Sequence, residues 1–208
     1  MTYLDMYRAG AEAFGREAAA HLADVLARAD IIFDRTSCVV WRIKTDAAIQ
    51  AKLSAARSLG EAGLPAIKDF VGIRVIATHL GLLDNAVAKV SEWSRCVHLI
   101  KTGVQDSYAI PRPGGYRAVH LNYQMPASNR WNLPTLVSTE VQVTTWLQCL
   151  HGGISHAFYY KANSPPDSAE VETIRTLSDK LYGVDLEVAT ILRALEHDRE
   201  QKPANRAG

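Results

Sequence analysis

Cysteine is scarce in this sequence of 208 residues. Cys38, Cys96 and Cys149 are odd in number, far apart and without the paired spacing of a zinc ribbon or a disulfide framework. A scaffold held together by disulfides is therefore excluded, and a reducing cytoplasm is the compartment that we expect. The first residues lack a basic stretch followed by an apolar run, so we expect no export signal.

The sequence also lacks an excess of charge of either sign. It has 23 Lys+Arg residues against 22 Asp+Glu, so the whole molecule exerts no strong pull on nucleic acid or an anionic membrane. Residues 141–160 contain no Asp, Glu, Lys or Arg, but their glutamines, histidines and threonines are too polar for a bilayer span. We therefore expect no membrane partner, and we expect any anion site to be local.

Hydrophobic residues make up 48% of the chain, enough for one compact α/β or α+β domain with helical flanks. Apolar positions spaced by three and four predict a helix over 3–29, and an Ala-rich stretch behind Thr45 or Asp46 predicts another over 46–59. A long closing helix is predicted from an apolar seam, which we expect to pack on the domain rather than to form an oligomer interface. The seam consists of Val171, Ile174, Leu177, Leu181, Val184, Val188, Ile191 and Leu195.

The middle of the chain has the composition of strands. FVGIRVIATHL, rich in β-branched residues, precedes the helical pattern LLDNAVAKVSEW and a second short strand, CVHLI. TGVQDSYAIPRPGGYR predicts a long loop, and YRAVHLNYQM predicts a strand that leaves it. VSTEVQVTT alternates in polarity, which places Glu140 and Gln142 on one face of a half-buried strand. A helix interrupted at Gly152-Gly153 is predicted over 146–161.

Two groups of charged residues suit phosphate and metal chemistry. Arg42, Lys44 and Lys52 surround a helix start, an environment suited to a polyphosphate; the alternative is a solvated basic helix face. Asp69 at the mouth of a strand and Glu140 on a strand face can hold one Mg²⁺ through oxygen ligands if they meet across a sheet. Taken singly, such a carboxylate is more often a helix cap or a surface charge.

A third group surrounds the Gly-Gly turn of the long loop. Arg112, Tyr116, Arg117 and His120 place an aromatic ring among cations, and such a set can close over a base and its phosphates. A tyrosine at a strand start also serves as simple packing, so the stretch alone leaves both interpretations open.

In order and spacing, these stretches resemble the synthetase domain of the RelA/SpoT family, in particular the stand-alone small alarmone synthetases. RIKTDAAIQAKL is similar to the family's RxKxxxSIxxKL, DFVGIRV to DxxGIRV, PGGYRAVH to PNGYRSxH, and EVQVTT to EVQIRT. The resemblance implies an α+β fold, a mixed β-sheet flanked by helices of the nucleotidyltransferase-like synthetase type. We expect a core at 37–162, a helical segment at 1–36, a C-terminal helix packed on the core at 163–202 and a frayed tail at 203–208.

The resemblance further implies an ATP-dependent pyrophosphokinase that uses Mg²⁺. Such an enzyme transfers the β,γ-pyrophosphate of ATP to the 3′-hydroxyl of GDP, GTP or an adenosine nucleotide. By position, Asp69 is the implied magnesium ligand, and Glu140 would bind the metal or take the proton from the attacking hydroxyl. The implied ATP-binding residues are Arg42, Lys44, Lys52 and Arg74.

The acceptor site follows from the same resemblance. Tyr116 would stack on the acceptor base, Arg112 would meet a phosphate and Gln142 would support the site. The family's HxxxYK motif corresponds to a stretch in which His156 and Lys161 would contact acceptor phosphates or brace the sheet, as would His120. Members of this family also self-associate, so a homo-oligomer is a further possibility.

Four positions depart from the family motifs. The family has an arginine, a serine, an asparagine and an acid where this sequence has Thr144, Ala48, Gly114 and Ser155. Since both carboxylates and the loop tyrosine are retained, we expect an active enzyme whose acceptor can differ from a guanosine nucleotide. Two alternatives are a toxin-type relative, which modifies the 3′ end of tRNA and has an antitoxin protein as partner, and an inactive domain that binds nucleotide or a partner.

Overall fold

A computed structural model describes residues 3–55, 67–108, 110–112, 114–161 and 167–201; side chains within those ranges are described except at 53, 55, 159–161, 196 and 198–201. The helices are α1 (Tyr3–Arg28), α2 (Arg35–Cys38), α3 (Asp46–Ala55), α4 (Leu83–Cys96), α5 (Trp146–Lys161) and α6 (Ser168–Gln201). The strands are β1 (Val39–Ile43), β2 (Val71–Ala77), β3 (Ile100–Asp106), β4 (Val119–Met125) and β5 (Val137–Thr145). Among the described helices, none has the length and hydropathy to cross a membrane.

The strands form one mixed sheet in the order β1-β2-β5-β4-β3. The central pair, β2 and β5, is parallel, and the other neighbouring pairs are antiparallel. Parallel pairing requires a long crossover, and here the chain between β2 and β5 includes α4, β3 and β4. This mixed sheet with flanking helices confirms the predicted α+β class.

The hydrophobic core lies between one face of the sheet and the helices α1 and α4. Tyr7 and Phe14 of α1 are fully buried, and the Tyr7 ring meets the edge of Phe70 at a centroid distance of 4.7 Å. Gly15 lets α1 approach β1 closely, because a Cβ atom there would lie 2.9 Å from the Trp41 ring. Trp93 contributes the largest buried side chain of α4. α1 and α4 therefore cover one face of the sheet and leave its opposite face to other parts of the chain.

The sequence prediction of the third strand was wrong in position. CVHLI contains the end of α4 and a turn at His98, whose φ is +58°, and β3 begins only at Ile100 and continues into the predicted long loop. β3 is an edge strand paired only with β4, and nearly all its side chains are exposed. An edge strand with two solvated faces shows no alternation of polarity, which is why the pattern predicted a loop.

Two helix predictions also need correction. α5 runs without interruption through Gly152 and Gly153, where a break was predicted. The predicted extension of α3 from residue 56 to residue 59 lies outside the described residues. On α6 the face buried against the domain consists of Ile174, Ser178, Asp185 and Ala189. The apolar seam was expected to pack on the domain, but its second half is exposed. The exposed seam residues are Val184, Val188, Ile191 and Leu195.

Candidate active site

The polar side chains of three neighbouring strands share the sheet face opposite α1 and α4. Gly72 of β2 is in register with Glu140 of β5, and Arg74 of β2 with Gln142. The next strand brings His120 of β4 opposite Gln142. Because side chains alternate between the faces of a strand, these residues point the same way, while their apolar neighbours enter the core.

Asp69 lies just before β2 and is held by two lysines. Its carboxylate accepts a hydrogen bond from Lys44 Nζ and lies 3.1 Å from Lys52 Nζ. Burial opposes ionisation of the Asp69 carboxyl, but the hydrogen bonds and charges of Lys44 and Lys52 outweigh it and lower the pKa of this group below its ordinary value. Thr45 caps α3 through its Oγ1, which accepts from the Ala48 amide, and so directs Lys52 towards the same carboxylate. Asp69 is therefore an anion within a cationic cluster.

Glu140 is the centre of a second polar network. Its Oε2 lies 3.0 Å from His120 Nδ1, and its Oε1 accepts a hydrogen bond of 2.5 Å from Gln142 Nε2. Gln142 Oε1 in turn accepts from Arg74 Nη2 at 3.2 Å. Burial raises the pKa of the Glu140 carboxyl, and the charge of Asp69 adds to this effect. The hydrogen bonds from His120 and Gln142, together with the charge of His120, outweigh both, so the pKa lies below its ordinary value. Glu140 is thus an ionised, oriented acceptor.

Tyr116 closes the site from the loop between β3 and β4. Its hydroxyl lies 3.5 Å from Gln142 Oε1, its ring meets the His120 ring edge-on at 5.7 Å, and the Arg112 guanidinium lies 5.7 Å from its centroid. Arg112 Nη2 also donates to Gln105 Oε1 on β3 at 2.6 Å. Burial raises the pKa of the Tyr116 hydroxyl, which keeps it protonated at neutral pH. The loop therefore presents one aromatic face beside one cation.

These residues line a cleft of about 850 Å³, which is large enough for a nucleotide. It adjoins a smaller hollow formed by Trp41, Ile73 and polar residues shared with the cleft. The predicted site residues that line the cleft are Arg42, Asp69, Arg74, Arg112, Tyr116, His120, Glu140, Gln142 and His156. Lys44 and Lys52 join them through Asp69, whereas the side chain of Lys161 lies outside the described residues.

Helix α5 supplies residues that the motifs did not predict. Cys149 Sγ lies 3.7 Å from Arg74 Nη1, and Gly152 faces the Tyr116 ring, where an added Cβ would lie 3.4 Å from the ring. Both line the cleft together with Gln148. Gly152 follows Cys149 by three residues and Gln148 by four, so all three lie on one face of the helix. The prediction missed this face because it interrupted the helix at Gly152-Gly153.

Three of the four departures from the family motifs, Gly114, Thr144 and Ser155, form part of the cleft wall. Thr144 is buried and its Oγ1 donates to the Arg117 carbonyl at 3.3 Å. Ser155 is also buried, with its Oγ 3.2 Å from His151 Nε2. These short neutral side chains leave this end of the cleft without a fixed charge of their own.

The two carboxylates fit a hard divalent cation. Asp69 and Glu140 both open onto the smaller hollow, and the Asp69 charge acts on the Glu140 carboxyl. Within the described ranges no group of three or more Asp, Glu, His or Cys side chains could hold a metal alone. This combination suits Mg²⁺, which keeps several waters and is bound by one or two carboxylates together with substrate phosphates.

Sequence comparison identifies the class of protein to which this fold and cleft belong. Residues 41–165, more than half of the chain, match the family described as the region found in RelA / SpoT proteins. The chain therefore belongs to the RelA/SpoT family. It is 28% identical over 129 residues to the GTP pyrophosphokinase YwaC of Bacillus subtilis; the alignment covers 59% of this chain and 60% of that relative's length.

Solved structures agree with this fold. A GTP pyrophosphokinase family protein from Streptococcus pneumoniae matches with a TM-score of 0.75 and 17% identity over 98% of this chain and 100% of the other. Small alarmone synthetase 1 from Bacillus subtilis matches with a TM-score of 0.73 and 18% identity over 90% and 95%. The same synthetase bound to its product pppGpp matches with a TM-score of 0.71 and 19% identity over 93% and 96%.

Proposed function

We propose that this protein is a pyrophosphokinase that transfers the β,γ-pyrophosphate of ATP to the 3′-hydroxyl of a guanosine nucleotide. One observation carries the proposal: the cleft is lined by two ionised carboxylates, with fixed cations on one side and the ring of Tyr116 on the other. The cations would bind the phosphates, and the carboxylates would bind the metal and accept the proton of the attacking hydroxyl. The aromatic ring would stack on the acceptor base.

The ATP phosphates would bind on the side of β1, β2 and α3. Arg42 of β1 pairs with Gly72 of β2, and its side chain packs over this glycine, since an added Cβ there would lie 3.5 Å from Arg42 Cγ. Arg74 follows two residues later on β2. Lys44 and Lys52 reach the same region through Asp69. Two polyphosphates repel each other, so this concentration of positive charge would offset the repulsion and align the donor for in-line attack.

The acceptor would bind on the side of β4, the loop and α5. Tyr116 would stack on the base, and Arg112 would meet a phosphate. Glu140, held by His120 and Gln142, would take the proton from the 3′-hydroxyl as the pyrophosphoryl group is transferred, which requires the ionised state that its lowered pKa maintains. Gln142 and His120 would thus orient the Glu140 carboxylate as the general base. His156 lies on the acceptor side of the cleft, where its side chain is exposed.

Mg²⁺ would be held by Asp69 and Glu140 together with the ATP phosphates. When bound, such an ion neutralises developing charge on the transferred phosphoryl oxygens. For Asp69 to become a ligand, its hydrogen bonds with Lys44 and Lys52 must loosen, and both lysines then become available to phosphate.

The relatives favour a guanosine acceptor. The curated relative is named a GTP pyrophosphokinase, and small alarmone synthetase 1 has been solved with pppGpp and with AMPCPP. We infer the same pair of nucleotide classes for this cleft, with an adenosine acceptor as the alternative. Since ATP and free nucleotides are the substrates, we place the protein in the cytoplasm.

A tRNA acceptor receives less support from the charges around α1. A basic track for tRNA could include Arg8, Arg16, Arg28 and Arg35. Of these, Arg8 forms ion pairs with Glu12 and Asp46, and Arg35 pairs with Asp24. Neutralised arginines attract a phosphate backbone weakly, and this pairing of two of the four supports a free nucleotide ahead of the toxin-type reaction with its antitoxin partner.

Transfer of label tests the proposal. The purified protein is incubated with Mg²⁺, γ-labelled ATP and, separately, GDP, GTP, AMP, ADP or bulk tRNA, with Glu140→Gln as the matched inactive control. We expect label in a guanosine 3′-pyrophosphate. Label in an adenosine nucleotide would change the acceptor, label in tRNA would establish the toxin-type reaction, and no transfer to any acceptor would overturn the proposal in favour of an inactive binding domain.

We also propose a homo-oligomer in which the exposed second half of the α6 seam meets a second copy. From Ile174 to Leu195 the seam alternates spacings of three and four, the repeat of a coiled coil. Val184, Val188, Ile191 and Leu195 are the exposed part of this repeat. Antiparallel packing of two copies about the middle of this exposed part would bury these apolar side chains against each other.

A further inference from the structure

We propose that Ser178 and Asp179 of α6 are positioning residues that hold Tyr116 in place for the acceptor. This inference rests on the proposed function and assigns to α6, which lies outside the catalytic motifs, a part in acceptor binding. The segment concerned is the chain between β3 and β4, residues 107–118, here called the acceptor loop; within it the structure describes all residues except 109 and 113.

The loop rests directly on α6 at Gly115. This glycine has a φ of +84°, and a Cβ atom added to it would lie 2.6 Å from Ser178 Cβ and 3.1 Å from the Arg175 Cα. The Ser178 hydroxyl, which is fully buried, donates a hydrogen bond to the Gly115 carbonyl. Close packing and this hydrogen bond together fix the backbone immediately before Tyr116.

A second attachment lies immediately after Tyr116. The Arg117 guanidinium is buried, donates to the Tyr108 carbonyl, and lies 2.7 Å from Asp179 Oδ1. It also lies 4.2 Å from the centroid of the Tyr182 ring, one turn further along α6. Arg117 is therefore held by the loop on one side and by α6 on the other.

These attachments flank the residue that carries the stacking surface. Tyr116 lines the cleft, whereas its neighbours Gly115 and Arg117 contact α6. The Tyr116 carbonyl also accepts from the Arg112 amide at 3.2 Å, so the turn that carries the second acceptor residue is tied to the same backbone. A shift of the loop away from α6 would move both the ring and the cation.

The ends of the loop are fastened to β5, which supplies Glu140. Tyr108 OH donates to Thr145 Oγ1 at 3.0 Å, and Thr144 Oγ1 donates to the Arg117 carbonyl. Contacts with β5 fix where the loop begins and ends, and contacts with α6 fix its middle. Weakening the α6 contacts should therefore affect acceptor binding and leave the ATP side, formed by β1, β2 and α3, unchanged.

Steady-state kinetics of Ser178→Ala, Asp179→Asn and their combination test the proposal. Loss of one hydrogen bond is worth roughly 0.5–1.5 kcal/mol, so each single variant should raise the KM for the acceptor by about 2- to 10-fold, with the KM for ATP unchanged. Asp179→Glu keeps the carboxylate and should restore most of the loss. Glu172→Gln, exposed on the same helix, is the matched control and should leave both KM values unchanged.

A second measurement does not depend on turnover. Hydrogen exchange of peptides covering residues 107–118 should become faster in Ser178→Ala and Asp179→Asn and remain at the wild-type rate in Glu172→Gln. Faster loop exchange with equal changes in both KM values, or with neither changed, would overturn the positioning role. Wild-type exchange in the variants would overturn the attachment itself. An absence of transfer in the wild-type protein would instead count against the proposed function, and the exchange data would still report on the attachment.

Discussion

At the residue scale, the proposed function assigns the chemistry to the carboxylates of Asp69 and Glu140. Glu140→Gln and Asp69→Asn remove charge with almost no change of volume, so the fold should persist. We expect Glu140→Gln to lower kcat by about 10²–10⁴-fold, the range typical of a lost general base. Asp69→Asn should also abolish most transfer, because Lys44 and Lys52 lose the anion that holds them and the proposed Mg²⁺ would lose a ligand.

The measurement is label transfer under saturating substrates, alongside thermal unfolding of each variant. Asp69 forms ion pairs that are partly exposed, so its loss should cost at most about 1 kcal/mol of stability. Turnover at the wild-type rate in either variant would remove that residue from the site.

At the residue scale, the ring of Tyr116 is expected to act on the acceptor alone. Tyr116→Ala should raise the KM for the acceptor far more than that for ATP, since stacking of a base on an aromatic ring is worth about 1–3 kcal/mol. Tyr116→Phe retains the ring and loses only a hydroxyl 3.5 Å from Gln142, so it serves as the control and should retain acceptor affinity. An equal loss for both substrates in Tyr116→Ala would show that the ring has no separate role at the acceptor.

The sequence was most informative about residues within motifs. Asp69, Glu140 and Tyr116 stand in short patterns whose order and spacing are specific, and the structure brings all three to one cleft. Cys149 and Gly152 stand in no such pattern, and only their helical spacing and the position of α5 above the sheet bring them to the same place. Contacts that depend on tertiary packing leave little local signal.

At the element scale, the central strands β2 and β5 were predicted more accurately than the edge strand β3, whose side chains are nearly all exposed. β2 and β5 are buried at the centre of the sheet, and their β-branched residues mark them. Even there, β5 was expected to be half-buried, whereas Ser138 and Thr144 on its polar face are buried as well. The edge strand β3 lacks any apolar alternation, so its pairing with β4 was not visible in the sequence.

α6 has two faces of different composition, the apolar seam and the face that packs on the domain. The apolar seam predicted its length, but the face that packs on the domain contains Ser178 and Asp185. Asp185 accepts hydrogen bonds from Thr145 Oγ1 at 2.7 Å and Gln148 Nε2 at 3.5 Å, and it also faces Tyr108. Burial raises the pKa of the Asp185 carboxyl, and these hydrogen bonds lower it only in part.

A pH-dependent stability follows for this helix. Because the folded-state pKa of Asp185 is raised, the ionised carboxylate destabilises the fold, and this cost grows as pH rises above the ordinary carboxyl value of about 3.9. Asp185→Asn carries no charge, so its free energy of unfolding relative to wild type should increase between pH 4 and pH 8. Urea denaturation at several pH values measures this difference, with the exposed Glu172→Gln as control. A difference that stays constant with pH, or falls, would contradict the assignment.

At the scale of the whole molecule, the helices border two separate surfaces, one proposed for chemistry and one proposed for assembly. α1 and α4 cover one face of the sheet, α5 borders the cleft on the other, and α6 contacts the acceptor loop with one stripe while it exposes an apolar stripe to solvent. Val184 is 44% exposed and Ile191 is 59% exposed, values that a helix packed only on its own domain does not require. This surplus of exposed apolar surface is the reason to expect a second copy there.

A charge placed within the exposed part of the seam tests that assembly. Ile191→Asp would bury a carboxylate between the two copies, so it should raise the dissociation constant by about tenfold or more, as measured by sedimentation equilibrium. Glu172→Gln changes an exposed residue of α6 outside the seam and is the control, which should associate like the wild type. A wild-type protein that remains monomeric at all concentrations, or an Ile191→Asp variant that associates like the wild type, would exclude this interface.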